Sequence, residues 1–392
     1  MQKKLTYNHT IYASYLGYIT QAIVNNYVPL LFLTLQREFS LSLSQITLIT
    51  TLNFAVQLLV DLLSAKFVDR IGYRKCVVAA HILSGCGLAS LTVLPRLLGA
   101  YPGILAAVVL YAIGGGLIEV LISPIVEACP TEKKEAAMSL LHSFYCWGHL
   151  AVILVSTLFF TLFGIGHWRI LALVWAVLPL ANAVFFARVP IYSITGDQQP
   201  MPLGALLKTK VFWLLMVVMV CAGASEQAMS QWASAFAESA LHVSKTIGDL
   251  AGPCAFALLM GTARALHGKY SDRLPLKRVM LGCAALCIAA YLLASLTGSA
   301  VLGLAGCALC GFSVGIFWPG TFSIAALSLP TGGTALYALM ALAGDVGCSG
   351  GPTLVGLIAD AAGGRLQIGL LAAIVFPVVI LLGISRLRTS KR

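Results

Sequence analysis

Apolar residues along this chain gather into long runs, at about 11–36, 44–67, 74–95, 101–128, 136–163 and 168–187, separated by short polar loops. A polar, Pro-containing stretch over 188–210 interrupts the series. Six further runs follow at about 211–238, 247–267, 277–296, 300–329, 334–360 and 367–386. Roughly 20 apolar residues in a helix span the hydrocarbon core of a bilayer, so each run is long enough to cross one. The pattern predicts an all-α membrane protein of twelve transmembrane helices: a six-helix bundle over 1–187, a cytoplasmic linker over 188–210 and a second six-helix bundle over 211–392. The first run contains Asn25, Asn26 and Pro29 and lacks a small-residue cleavage site, so it reads as a spanning helix rather than a cleavable leader.

Composition supports the same class. Of the 392 residues, 59% are apolar and 10% charged. Soluble domains carry about a quarter charged residues, so this chain lacks the surface chemistry of a water-soluble enzyme, a disordered protein or a small secreted disulfide scaffold. The formal net charge is +11, but the basic residues sit in short loops and at the ends of runs, which argues for topology signals and against nucleic acid. With the N-terminus inside, 20 of the 25 Lys and Arg residues face the cytoplasm, leaving Arg37, Arg96, Arg169, Lys245 and Arg365 outside. The positive-inside rule therefore predicts a multi-pass protein of the cell membrane with both termini cytoplasmic. The eleven cysteines lie mostly within apolar runs. Even the C-x-x-C of Cys307 and Cys310 has no second ligand pair nearby, so the cysteines read as packing residues and neither metal nor cofactor is expected.

The two halves share short signals at equivalent places. A shift of 200 residues lays Pro130-Thr131 on Pro330-Thr331, and a shift of 203 lays Asp69-Arg70 on Asp272-Arg273. Internal duplication of this kind is the architecture of many secondary transporters. The loop after the second run carries Asp69, Arg70, Gly72, Arg74 and Lys75, which resembles the G-x-x-x-D-R-x-G-R-[RK] signature of the major facilitator superfamily. Its weaker copy carries Asp272, Arg273, Lys277 and Arg278. Within that superfamily the chain is similar to the fucose permease branch, in Gly116, Glu119 and Pro124 of the fourth run and in Ser139, His142, Phe144, Tyr145 and Gly148 of the fifth. Glu226 with Trp232, the Gly315 to Pro319 segment with Trp318, and the Gly350 to Asp360 segment also follow that branch. Asn25 stands where the branch has a proton-handling aspartate, and Ser123 where it has an asparagine. The resemblance implies the major facilitator fold and an inner gate formed by Asp69, Arg70, Gly72, Arg74, Asp272 and Arg273. It also implies alternating access.

Polar residues inside the runs are the candidate chemistry, because ionisable groups at membrane depth usually face a bundle interior or a cavity. Three acids qualify: Glu119, Glu226 and Asp345. No Lys or Arg stands in the middle of a run, so these acids are expected to lack a basic partner and to suit proton exchange, Glu119 and Glu226 foremost. Asp61, nearer the inner face, reads as part of the gate. Ser14, Tyr18, Gln21 and Asn25 recur at helical spacing, as do His142, Tyr145 and His149. Such stripes suit either interhelical hydrogen bonds or recognition of hydroxyl groups. With Asn26, Gln231, Trp232, Trp318 and Asp345 they form the candidate substrate site, and Trp147 is a further candidate wall residue. The glycine runs at Gly114 to Gly116 and at Gly347 to Gly351 lack the flanking strand and Lys of a phosphate loop and read as helix-packing surfaces.

These features predict a secondary transporter for a small neutral polar metabolite, a sugar foremost, driven by a proton or sodium, in a lipid bilayer and as a monomer. A drug/proton antiporter is the alternative, followed by a non-cycling sensor. An intramembrane enzyme would need a nucleophile–base pair or metal motif, and neither appears in the sequence. The predicted topology is checked with Ser193→Cys: an impermeant maleimide should label it only in opened or inverted membranes, and labelling in intact cells overturns the orientation.

Overall fold

The computed structural model describes residues 5–131, 134–192, 203–270, 275–329 and 333–387. Among them every regular element is helical. The first half contributes α1 (Tyr7–Asn26), α2 (Leu43–Ile71), α3 (Tyr73–Ser90), α4 (Ala100–Glu127), α5 (Lys134–Phe163) and α6 (Trp168–Arg188). The second contributes α7 (Lys210–Ser239), α8 (Ala255–Tyr270) and α9 (Leu276–Leu296). It continues with α10 (Ala300–Val314, resumed as Phe317–Ser328), α11 (Gly333–Ala361) and α12 (Leu366–Ala372, resumed as Val375–Arg386).

Ten helices among the described residues are long and apolar enough to cross a bilayer, against the twelve expected. The other two expected spans, α1 and α3, are helical over 20 and 18 residues but more polar. Gln21, Asn25 and Asn26 lie in α1, and α3 opens on Arg74 and Lys75. Proline accounts for the breaks. It lacks an N–H and clashes with the preceding turn, and α1 gives way at Pro29 to a tight turn over Val28–Leu31 before a short helix Phe32–Phe39. The interruptions within α10 and α12 fall just before Pro319 and Pro377, each then tolerated in the first turn of the resumed helix. A wide helical turn over Leu250–Cys254, containing Pro253, leads into α8.

The chain forms two compact units, one of Met1–Leu41 with Leu52–Asp197 and one of Ser42–Thr51 with Gln198–Arg392. Inside the first unit, α1 packs on α4, α5 and α6, and α3 packs on α4 and α6. Inside the second, α7 packs on α10, α11 and α12, and α9 packs on α10 and α12. Each of these pairings recurs six helices later, as a duplicated bundle requires. Leu162, Val177, Leu296 and Val301 are among many large apolar side chains left exposed, as a lipid-facing surface would present them.

Close approach is achieved with small residues. A Cβ on Gly114 would collide with the Ala80 carbonyl and Ser84 of α3, and one on Gly351 with the backbone of Ala224 on α7. A Cβ on Gly347 would overlap the Val220 carbonyl oxygen of α7. In the first unit a buried polar staple adds to this packing. His81 Nδ1 donates to the Val77 carbonyl at 2.7 Å, leaving Nε2 to accept from Asn182 Nδ2 at 2.9 Å. Asn182 also donates to the Ala13 carbonyl at 3.0 Å, so three helices are tied at one point.

Overpacking a tight contact costs about 1–3 kcal/mol. Gly347→Leu should therefore lower the unfolding temperature in detergent by several degrees. Gly282→Ala, where a Cβ meets open space, should leave it unchanged or raise it. Equal unfolding temperatures for Gly347→Leu and the parent would show that the α7–α11 contact is looser than described.

Candidate functional site

The main polar cluster lies within the first unit, where helical periodicity aligns three stripes: Tyr18, Gln21 and Asn25 on α1, Asn53, Gln57 and Asp61 on α2, and Gly115, Glu119 and Ser123 on α4. Gln57 sits at the centre. Its Nε2 donates to Asn25 Oδ1 at 2.9 Å and to Asn53 Oδ1 at 3.0 Å, while its Oε1 accepts from Gln21 Nε2 at 2.9 Å. Asn53 Nδ2 donates to Asn25 Oδ1 at 3.2 Å. Gln21 Nε2 also donates to Glu119 Oε2 at 3.0 Å, so an amide chain runs from Asn25 to the carboxylate. Tyr18 and Ser123 pair their hydroxyls at 3.0 Å. Asp61 is near enough to Glu119 for their charges to interact.

Helix α5 brings the second predicted stripe to the same helix. The His142 ring lies 5.3 Å from that of Tyr18, and His142 itself is exposed. Asn26 Nδ2 donates to Tyr145 Oη at 3.5 Å and to the Ala22 carbonyl at 2.9 Å. Tyr145 and His149 stand 6.5 Å apart, ring to ring, and His149 is buried. Trp147, by contrast, is 59% exposed.

In the second unit, Gln231 Nε2 donates to Gln227 Oε1 at 3.1 Å, and Gln227 Nε2 reaches Glu226 Oε1 at 3.5 Å. Arg264 of α8 lies 3.6 Å from Glu226, and its Nε donates to the Gly315 carbonyl at 3.2 Å. The expectation that Glu226 lacks a basic partner is thereby corrected. Arg264 falls near the end of its run, and only the packing of α8 beside α7 carries the guanidinium to the acid. Trp232 has no exposed surface and gives its indole N–H to the Pro352 carbonyl at 2.9 Å. Trp318 is half-buried over Gly344, where any Cβ would strike its ring, and Asp345 beside it is half-buried too.

Of the expected inner gate, Gly72 has φ +93°, a left-handed conformation that favours glycine, and it turns the chain from α2 into α3. Arg74 Nη1 donates to the Phe186 and Ala187 carbonyls at 3.0 and 2.9 Å, capping the C-terminal end of α6. Lys277, 203 residues later, does the same for α12 through the Ser385 and Leu387 carbonyls at 3.2 and 2.5 Å. The side chains of Asp69 and Arg70, and Asp272 and Arg273 altogether, lie outside the described residues, as does most of the linker.

Asn53 and Gln57 went unnoticed in the sequence, although their four-residue spacing to each other and to Asp61 is the signal that exposed the α1 stripe. Gln57→Leu removes the central amide: Asn53 Oδ1 loses its Gln57 donor, while Asn25 Oδ1 keeps Asn53 and Gln21 Nε2 keeps Glu119, and a buried polar group that loses its partner costs about 1–3 kcal/mol. The substitution should lower the unfolding temperature by several degrees and weaken ligand-induced stabilisation. A variant as stable as the parent would show that the network does not order the cluster.

Comparison with known proteins agrees with this architecture. The sequence pattern of the Major Facilitator Superfamily matches residues 14–352. A curated relative, Membrane protein MosC of Rhizobium meliloti, is 23% identical over 376 residues, covering 94% of this chain and 88% of that protein. Among solved structures, a bacterial homologue of the human lysosomal transporter Spinster, in its inward-facing and unoccupied conformation, superposes with a TM-score of 0.77 at 16% identity, covering 96% of each chain. A variant of the E. coli fucose:proton symporter FucP superposes with a TM-score of 0.66 at 15% identity, covering 97% of this chain and 98% of that one. The family pattern spans most of the sequence and the fold agrees over nearly all of it; this chain is a multi-pass membrane protein belonging to the Major Facilitator Superfamily.

Proposed function

We propose that this chain is a secondary active transporter that moves a small neutral polar molecule, a sugar foremost, in symport with a proton. The observation that carries the reading is Glu119, held by an amide chain in the first unit at 3.0 Å from Gln21 Nε2. No Lys or Arg among the described residues pairs with it. A carboxylate so placed accepts the Gln21 N–H when charged, and protonation removes a charge that is costly to enclose. A carboxyl protonated only while cargo is bound ties the two movements together. Tyr18, Gln21, Asn25, Asn26, His142, Tyr145 and His149 supply hydroxyl, amide and imidazole groups suited to sugar hydroxyls. The solved fucose:proton symporter offers a precedent for such cargo on this fold.

The same reading places six helices on either side of a cytoplasmic linker, with both termini in the cytoplasm and the protein in the cell membrane. Asp69, Arg70, Gly72 and Arg74, with Asp272 and Arg273, act as the inner gate. Gln231, Trp318 and Asp345 contribute from the second half, with Trp232 supporting them by packing, and Glu226 is the second candidate for the proton.

Proteoliposome transport tests the proposal. Glu119→Gln, a fixed mimic of the protonated acid, should keep ligand binding and exchange but lose accumulation driven by an imposed pH gradient. Accumulation equal to the parent's removes Glu119 from coupling and directs the measurement to Glu226→Gln. A panel of monosaccharides and polyols should raise the unfolding temperature of the purified protein. Stabilisation by bulky lipophilic cations alone replaces this reading with drug/proton antiport.

A further inference from the structure

Basic and apolar side chains at one end of the second unit are arranged in an order that transport leaves unused. A Cβ on Gly383 of α12 would meet Val218 Cγ2 of α7 at 2.8 Å and Leu214 Cδ1 at 3.5 Å, so the two helices touch there. At their other ends Gln367 Nε2 reaches the Ala240 carbonyl at 3.5 Å, so α7 and α12 run antiparallel. Lys210 opens α7 one turn before Leu214, and Arg386 closes α12 just under a turn after Gly383, which brings both cations to the same end. Lys277 Nζ, bound to the Ser385 and Leu387 carbonyls, adds the first turn of α9 and with it Arg278. Trp213 Nε1 donates to the Leu207 carbonyl at 2.9 Å, which holds the segment carrying Lys208 against the start of α7. Lys208, Lys210, Arg278 and Arg386 are all exposed. One turn further along the helices the exposed surface becomes apolar: Trp213 and Val217 follow Lys210 at helical spacing, Leu382 precedes Arg386 by one turn, and each is about half exposed. No Asp or Glu occurs in 203–225, 276–296 or 366–387.

We propose that this end of the second unit binds an anionic phospholipid. Lys208, Lys210, Arg278 and Arg386 hold the phosphate-bearing headgroup, Trp213 stands at the level of the glycerol esters, and Val217 and Leu382 meet the acyl chains. Lys277, committed to the α12 carbonyls, holds the helix ends together beneath the headgroup. Cations alone would serve any anion, and an apolar stripe alone would serve any lipid. The sequence of cation, indole and aliphatic side chain along the helix axes fits a molecule that is anionic at one end and hydrocarbon at the other. A soluble phosphate would leave Trp213, Val217 and Leu382 unmatched. A zwitterionic lipid would bring a quaternary ammonium group to a surface whose three helices offer it no acid.

This site goes beyond the transport reading, and its test needs no transport. The purified full-length protein in detergent is titrated with phosphatidylglycerol or with phosphatidylcholine of the same acyl chains, and bound lipid is counted by native mass spectrometry. Phosphatidylglycerol should bind about tenfold or more tightly than phosphatidylcholine. Lys210→Gln combined with Arg386→Gln should remove that preference, and Trp213→Ala should weaken phosphatidylglycerol binding several-fold. Arg96→Gln combined with Arg188→Gln removes the same charge from exposed positions of the first unit and should leave the preference intact. The substituted side chains are exposed, so each variant should unfold in detergent at the parent's temperature, which separates lost binding from lost folding. Equal binding of the two lipids by the parent overturns the site. So does a preference that survives in the Lys210 and Arg386 double variant, or one lost equally in the first-unit control. Glycerol phosphate bound as tightly as the lipid also overturns it, by reducing the site to one for a soluble anion.

Discussion

A bilayer interior supplies no hydrogen bonds, so every polar group taken into it has to find its partner within the protein. Helices satisfy the backbone, and the side chains must then satisfy one another across helices. Gln57 shows how far this reaches: one amide head joins Asn25, Asn53 and Gln21, and through Gln21 it reaches Glu119. His81 and Asn182 answer the same demand elsewhere in the unit, with the Ala13 and Val77 carbonyls as the outer partners. These contacts need backbones that approach closely, which is why glycine recurs where α4 faces α3 and where α11 faces α7.

The two units resolve the problem of a buried acid differently. Glu226 has a guanidinium beside it, whereas Glu119 is met by an amide N–H and a neighbouring carboxylate. A fixed ion pair changes its charge reluctantly, because losing either partner strands the other. An acid whose hydrogen-bond partner is a neutral amide can gain or lose a proton with less disturbance to its surroundings. That contrast is why the proposed coupling is assigned to Glu119 in the first unit, whose first helix carries Asn25 instead of an acid.

Duplication is visible at the level of contacts more than of residues. Helix pairings repeat at a six-helix interval. Arg74 and Lys277 each close the C-terminal carbonyls of the last helix in their half. Short sequence echoes survive where a turn or a helix end demands a given chemistry. The polar faces have diverged, with an amide network reaching Glu119 in one half and a glutamine chain, an ion pair and aromatic packing around Glu226 in the other.

The amino-acid sequence by itself determined what depends on a single helix or its ends: the lengths of the runs, the loop signature, the turn at Gly72 and the alignment of Tyr18, Gln21 and Asn25 on one face. Periodicity is local, so a stripe can be read without knowing its neighbour. The span count was less secure at α1 and α3, where polar residues dilute the apolar signal. Tertiary structure decided which stripes meet. Asn53 and Gln57 against Asn25, Asp61 near Glu119 and Arg264 beside Glu226 all depend on the rotation and axial register of packed helices. Those are properties of pairs of helices. A one-turn shift along either axis, invisible in the sequence, would have assembled different partners.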